Sequence, residues 1–263
     1  MSETPLKLTG INVRRPGILF GDVNQPIQDI YSESASQNYG LGTRLVYNDG
    51  REFRYARAGA VNLVKGYMGQ ASANLSNLVD ELQTTSGAAI DAGQREITVD
   101  ITTGSSLVDN SLVDGVMVVN KSTGMGDVYM IDANKIRSSD VLLDLQLRTV
   151  LRNNLSATSE ITLVYNRFAN IVVLPTTASG VPAGITLDNV TATYYYWAQT
   201  KGYAPCYVDT GETVVLGEPA GYPATPNVAG ACGPVGADTD ATWGIAQTIA
   251  TAGEPCILDL QLN

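Results

Sequence analysis

Alternation of apolar and polar positions at period two runs through most of the chain. Residues 43–47 and 52–56 alternate on either side of Asn48-Asp49-Gly50-Arg51. An Asp-Gly pair suits a tight turn that needs positive φ. The pattern therefore predicts a β-hairpin with Phe53 and Tyr55 on one face and Glu52 and Arg54 on the other. Ile97, Val99 and Ile101 alternate with Glu96, Thr98 and Asp100, and segments 116–119 and 128–131 bracket a longer hairpin loop at 121–126. Val141, Leu143, Leu145 and Leu147 oppose Asp144, Gln146 and Arg148. These four matches to alternation outweigh the helix that could be drawn through 141–152. Further strands are predicted at 161–165, 171–174, 192–198, 206–209, 213–216, 245–249 and 256–262. Only Leu75, Leu78, Val79 and Leu82 recur at helical spacing, with Ser86-Gly87 as the stop signal.

Residues 1–40 show little periodicity. Pro5, Pro16 and Pro26 argue for an extended arm, yet Ile18, Leu19, Phe20, Ile27 and Ile30 are costly to leave in water. Such a segment suits docking on a surface, either the chain's own body or a neighbour's. The fold class expected is mainly β: an antiparallel β-sandwich or β-barrel-like body with an extended N-terminal arm and one or two short helices. Composition places the arm at 1–40, a β-rich region with the hairpin and short helix at 41–160 and a C-terminal β-rich region at 161–263, or one continuous domain from 41 to 263.

The 263 residues carry a formal net charge of −10 and no histidine. Absent histidine removes Ser-His and Cys-His catalysis and imidazole ligation of zinc. An acidic chain without a dense Lys/Arg run predicts no nucleic-acid partner. No apolar run reaches the length of a membrane helix, so no membrane partner is expected. Residues 1–67 hold a balance of +2, 68–152 of −5 and 153–263 of −7. Cys206, Cys232 and Cys256 lack metal-type spacing and read as buried thiols made in a reducing compartment.

Few motifs suggest chemistry. Gly124-Met125-Gly126 lacks the Lys-Ser/Thr ending of a phosphate loop and reads as a hairpin turn. Asp238-Thr239-Asp240 has the spacing that starts a calcium loop, but no Gly or Glu follows at the positions an EF-hand needs. No catalytic residue, cofactor site or metal site is expected, and the chain is read as a non-enzyme. The run Tyr194-Tyr195-Tyr196-Trp197 puts Tyr195 and Trp197 on one strand face, open to stacking on a sugar or a protein unless the strand is buried on both faces. Arg44, Arg51, Arg54 and Arg57 crowd the hairpin, either as a solvated polar face or as an electrostatic patch for an acidic neighbour.

Two stretches resemble a known family. Tyr39-Gly40-Leu41-Gly42-Thr43-Arg44, with Asp49-Gly50-Arg51-Glu52-Phe53-Arg54-Tyr55-Ala56-Arg57-Ala58-Gly59, is similar to a segment near the N-terminus of tailed-bacteriophage structural proteins. Asn166-Arg167-Phe168-Ala169-Asn170-Ile171-Val172 and Gly180-Val181-Pro182, leading into Tyr194-Tyr195-Tyr196-Trp197-Ala198-Gln199-Thr200-Lys201-Gly202, resemble a second segment of those proteins. Lys201 stands where that pattern carries an aromatic. Gly230-Ala231 and the closing run from Ile257 to Leu262 also fit.

The resemblance is to head decoration, or capsid cement, proteins. It implies a structural virion protein, assembled in the cytoplasm of a bacterial host, that binds the outer capsid surface and stabilises it. The partner implied is the major capsid protein, and a homo-oligomer, dimer or trimer, is expected. The candidate contact residues are Arg14, Arg15, Phe20, Arg44, Arg51, Arg54 and Arg57. The alternative is a virion-surface binding module, lectin-like or host-contacting, that works through Tyr195 and Trp197.

Overall fold

Gly50 adopts φ 89°, a region glycine enters without a Cβ penalty, and so closes the predicted hairpin. The computed structural model describes residues 17–22, 26–73, 78, 82–83, 89–100, 107–136, 142–235 and 241–262. Its first strands are β1 (Ile18–Phe20), β2 (Arg44–Val46), β3 (Glu52–Arg57) and β4 (Met68–Gln70). There follow β5 (Leu82–Gln83), β6 (Glu96–Asp100), β7 (Val116–Lys121), β8 (Val128–Ile136), β9 (Leu142–Leu147) and β10 (Glu160–Val164). The last nine are β11 (Val172–Val173), β12 (Pro182–Thr186), β13 (Tyr195–Tyr207), β14 (Thr213–Val214), β15 (Pro219–Gly221), β16 (Gly233–Pro234), β17 (Thr242–Ala246), β18 (Ala250–Thr251) and β19 (Pro255–Gln261).

These strands fall into two units. Asn74–Asn166 form an insert that holds β5–β10, and Arg14–Ala73 with Arg167–Asn263 form the parent unit. The parent unit is discontinuous in sequence, since β3 and β13, which lie on either side of the insert, pair with each other.

In the insert, six strands run in the order β5-β10-β7-β8-β9-β6. The alternation expected of β9 is met, with Leu143, Leu145 and Leu147 buried and their neighbours half-buried. Ile97 and Val99 of β6 and Met117 and Val119 of β7 join the same core. Its polar side is tied by Arg148, which bonds both Asp114 and Asp132. The expected helix is a correction. Among the described residues there is no α-helix, and Leu82 lies in β5, paired with Ile161. Cross-strand pairing overrides the local periodicity there. Leu75, Val79 and Val141 lie outside the described residues.

The parent unit is built on an eleven-stranded sheet whose main path is β1-β2-β3-β13-β19-β17-β15-β16. β13 is its spine. Its first half pairs β3 and its second half pairs β19, both antiparallel. One pair departs from the antiparallel expectation: β1 runs parallel to β2. The N-terminal segment is not a free arm over residues 17–22 and 26–34. β1 extends the sheet, and Gln28 and Ile30 are buried against β3 and β13.

Candidate functional site

Opposed residues in a sheet share a face, so the registers map the parent sheet directly. One row reads Phe20, Val46, Glu52, Lys201 and Gln261 across β1, β2, β3, β13 and β19. The next row reads Ile18, Arg44, Arg54 and Ala198. A third, farther along β13, reads Tyr203, Asp259 and Ile245. The opposite face carries Leu45, Phe53, Tyr55 and Trp197 and is core.

The aromatic run is therefore packed on both sides. Trp197 is only 1% exposed, and its Nε1 donates to the Gln28 carbonyl at 2.9 Å. Gln28 is held in turn: Tyr55 Oη donates to its Oε1 at 2.8 Å, and its Nε2 donates to the Tyr195 carbonyl at 2.8 Å. Tyr195 stacks on Tyr55, with 6.0 Å between ring centroids. Tyr196, on the other face, is buried, and burial pushes its hydroxyl above the ordinary phenol range. The expectation of Trp197 as a surface contact is thus corrected: residues 26–34 cross that face and cover it. The exposed tyrosines of this unit are instead Tyr31 and Tyr203, which sequence reading passed over because neither sits in an aromatic run.

The four hairpin arginines do not converge. Arg44 makes a two-pronged pair with Glu52, at 2.8 and 2.6 Å, and Lys201 approaches the same carboxylate at 3.6 Å. The hydrogen bond from Arg44 holds the Glu52 carboxyl below its usual range. Arg54, on the same face, donates to the Gly42 carbonyl at 3.1 Å and lies over the Phe168 ring at 5.9 Å. Arg167 lies over that ring at 5.6 Å and donates to the Pro182 carbonyl. Burial and the Arg44 charge lower the Arg54 pKa, and burial and the Arg54 charge lower that of Arg167. Arg51 and Arg57 turn to the other face, where Arg51 pairs Asp49 at 2.7 Å and Arg57 lies over Tyr195 at 5.7 Å. Arg14 and Arg15 lie outside the described residues.

Exposed apolar surface gathers instead at the β1 end of the sheet. Ile18 is 59% and Phe20 56% exposed on one side, and Ile27 is 80% and Tyr31 56% exposed in the segment that follows. Among the described residues β1 is the end strand of the sheet and pairs only with β2. Natural sheets blunt such edges with charge, proline or cover unless the edge has a partner. Among the described residues, Phe20 is the predicted apolar contact residue that lies here.

The remaining motifs are structural. Gly124 and Gly126, at φ 84° and 89°, shape the turn between β7 and β8. The three cysteines are buried in one core, with Cys232 Sγ 3.5 Å from Cys256 Sγ. That hydrogen bond, and then burial, push the Cys256 thiol up, away from reactivity. Asp238-Thr239-Asp240 falls outside the described residues. Among the described residues, no group of three or more His, Cys, Asp or Glu is placed to hold a metal ion. A scan against protein-family models and searches of curated proteins and of solved structures found no match to this chain.

Proposed function

We propose that this chain is a structural virion protein that binds the outer surface of an assembled bacteriophage capsid and stabilises it, with the major capsid protein as partner. On this reading each unit is a sandwich- or barrel-like β body. The observation that supports it most is the end strand β1, with Ile18 and Phe20 exposed on it and Ile27 and Tyr31 exposed in the segment that follows. A rigid sheet behind such a strand suits docking on a protein surface by apolar contact. The resemblance of the 39–59 and 166–202 segments to head decoration proteins supplies the partner. Contacts at single sites need not be strong, because a repeating shell presents many binding positions to an array of neighbouring copies.

The test is co-sedimentation of the full chain with undecorated heads, comparing the native sequence with an Ile18→Asp/Phe20→Asp variant. Both side chains are exposed, so the variant is expected to keep its fold and lose at least ~10-fold in binding. Unchanged binding by the variant overturns the assignment of the edge, and failure of the native chain to bind overturns the function. Deleting the whole N-terminal segment is a poorer test, since it removes the Gln28 and Ile30 packing.

A further inference from the structure

The core between β13, β17 and β19 holds three thiols that attachment to a shell does not use. Cys206 lies on β13, Cys256 opposite it on β19, and Cys232 immediately before β16. All three are buried and reduced. The pairs among them are not equivalent. Cys232 Sγ and Cys256 Sγ are in van der Waals contact at 3.5 Å. A disulfide holds its sulfurs at about 2.0 Å, so each has to move by roughly 0.7 Å, a small χ1 adjustment. Cys206 and Cys256 are direct cross-strand partners. Such partners hold their Cβ atoms about 4.5–5.5 Å apart, wider than the ~3.8 Å of a disulfide, so a bond there squeezes the two strands together. Cys206 Sγ is engaged with the Tyr207 carbonyl at 3.9 Å.

The closer pair joins separate segments. Cys232 and Cys256 are 24 residues apart in sequence, and the chain between them carries β16, β17 and β18. β16 is only Gly233–Pro234, and among the described residues it pairs only with β15. Local opening costs least at such a short end strand, and this gives a small reagent its route to Cys232.

We propose that Cys232 and Cys256 form a disulfide when the folded chain meets an oxidising medium, tying the segment before β16 to β19 and leaving Cys206 as a free thiol. With a small-molecule disulfide as oxidant, the Cys232 thiolate attacks one of its sulfurs, giving a mixed disulfide and releasing one small thiol. The Cys256 thiolate then attacks Cys232 Sγ and expels the second. The protein pair gives up two electrons and two protons, and the oxidant leaves as two thiols. Cys206 beside Cys232, and Cys232 beside Cys256, push those two thiols up, which slows the exchange without preventing it. The bond is a property of the parent unit and does not depend on attachment to a shell.

Incubation of the purified full chain with glutathione disulfide under folding conditions tests it, followed by unfolding, alkylation and mass spectrometry. The native chain is expected to pass from three alkylated cysteines to one, with the bond mapped between the Cys232 and Cys256 peptides. Its melting temperature is expected to rise by at least ~5 °C, because the bond closes a loop in the unfolded chain, and dithiothreitol is expected to reverse both changes. Cys206→Ala is expected to form the same bond and Cys232→Ala none, while the map on the native chain needs no variant. Three alkylated cysteines after oxidation, glutathione retained as the end product, a bond mapped to Cys206, or an oxidised chain that melts as the reduced one does overturns the proposal.

Discussion

Replacing Trp197 with alanine is expected to lower the stability of the parent unit by about 4 kcal/mol, within the span seen for large aromatic side chains removed from cores. The ring is buried among Leu45, Phe53 and Tyr55, and lies 4.9 Å from Tyr55 and 5.3 Å from Tyr39. Its loss leaves a cavity and strips the Gln28 carbonyl of its donor. Residues 26–34 are held over β13 by Gln28 together with the Ser34–Tyr195 backbone pair, so the deletion removes one of these ties. Both tryptophans of the chain, Trp197 and Trp243, belong to the parent unit. Urea denaturation followed by the fluorescence of the remaining Trp243 therefore reads this unit and not the insert. A loss below about 1 kcal/mol would show that the site collapses around the deletion and that the segment is held by other contacts.

Gly244→Ala is expected to cost about 3 kcal/mol, at the upper end of what overpacking a close-packed interior usually does. Gly244 lies on β17 opposite Leu260. A Cβ there would fall well inside van der Waals contact of the Asp259 carbonyl, which is β19 backbone and not a side chain free to swing away. Relief requires β17 and β19 to part, which breaks the pairs Ile245–Asp259 and Ala246–Leu258 and opens the core that holds Trp243 and the three cysteines. Gly17→Ala is the matching control, because a Cβ at Gly17 meets nothing within 4 Å. The same fluorescence titration should find the control within about 0.5 kcal/mol of the native chain.

What could be read from the sequence follows from which interactions are local. The 44–57 hairpin was legible because its turn chemistry and its alternation lie within one short segment. β9 was legible because alternation survives wherever one face is core and the other is wet. The length and surroundings of β13 were not, since its thirteen residues change neighbours midway and the run from Tyr194 to Trp197 is apolar on both faces. Cover from residues 26–34 uses Gln28 and the Ser34–Tyr195 backbone pair, whose roles exist only once β13 is beside them. β4, β12, β15 and β16 were missed because Gly and Pro within them read as turns: Gly69, Gly184 and Gly221 each sit where a Cβ would strike a neighbour. Of the candidate contacts, Phe20 falls on the end strand, whereas Arg44 and Arg51 are held by the carboxylates of Glu52 and Asp49. Charge counting cannot distinguish a cation spent on an adjacent strand from one left for a partner.

The physical account of attachment rests on where apolar surface is exposed. Arginine pairs at exposed or half-exposed positions contribute little net free energy, whereas apolar side chains exposed on an end strand gain by being covered. The most direct measurement is cryo-electron microscopy of undecorated heads mixed with the full chain at low ionic strength. The account predicts ordered density on the outer shell, with the β1–β3 side of the parent unit against the capsid protein and Ile18 and Phe20 in the contact. Heads that remain bare, or density in which β1 points away from the shell, would contradict it.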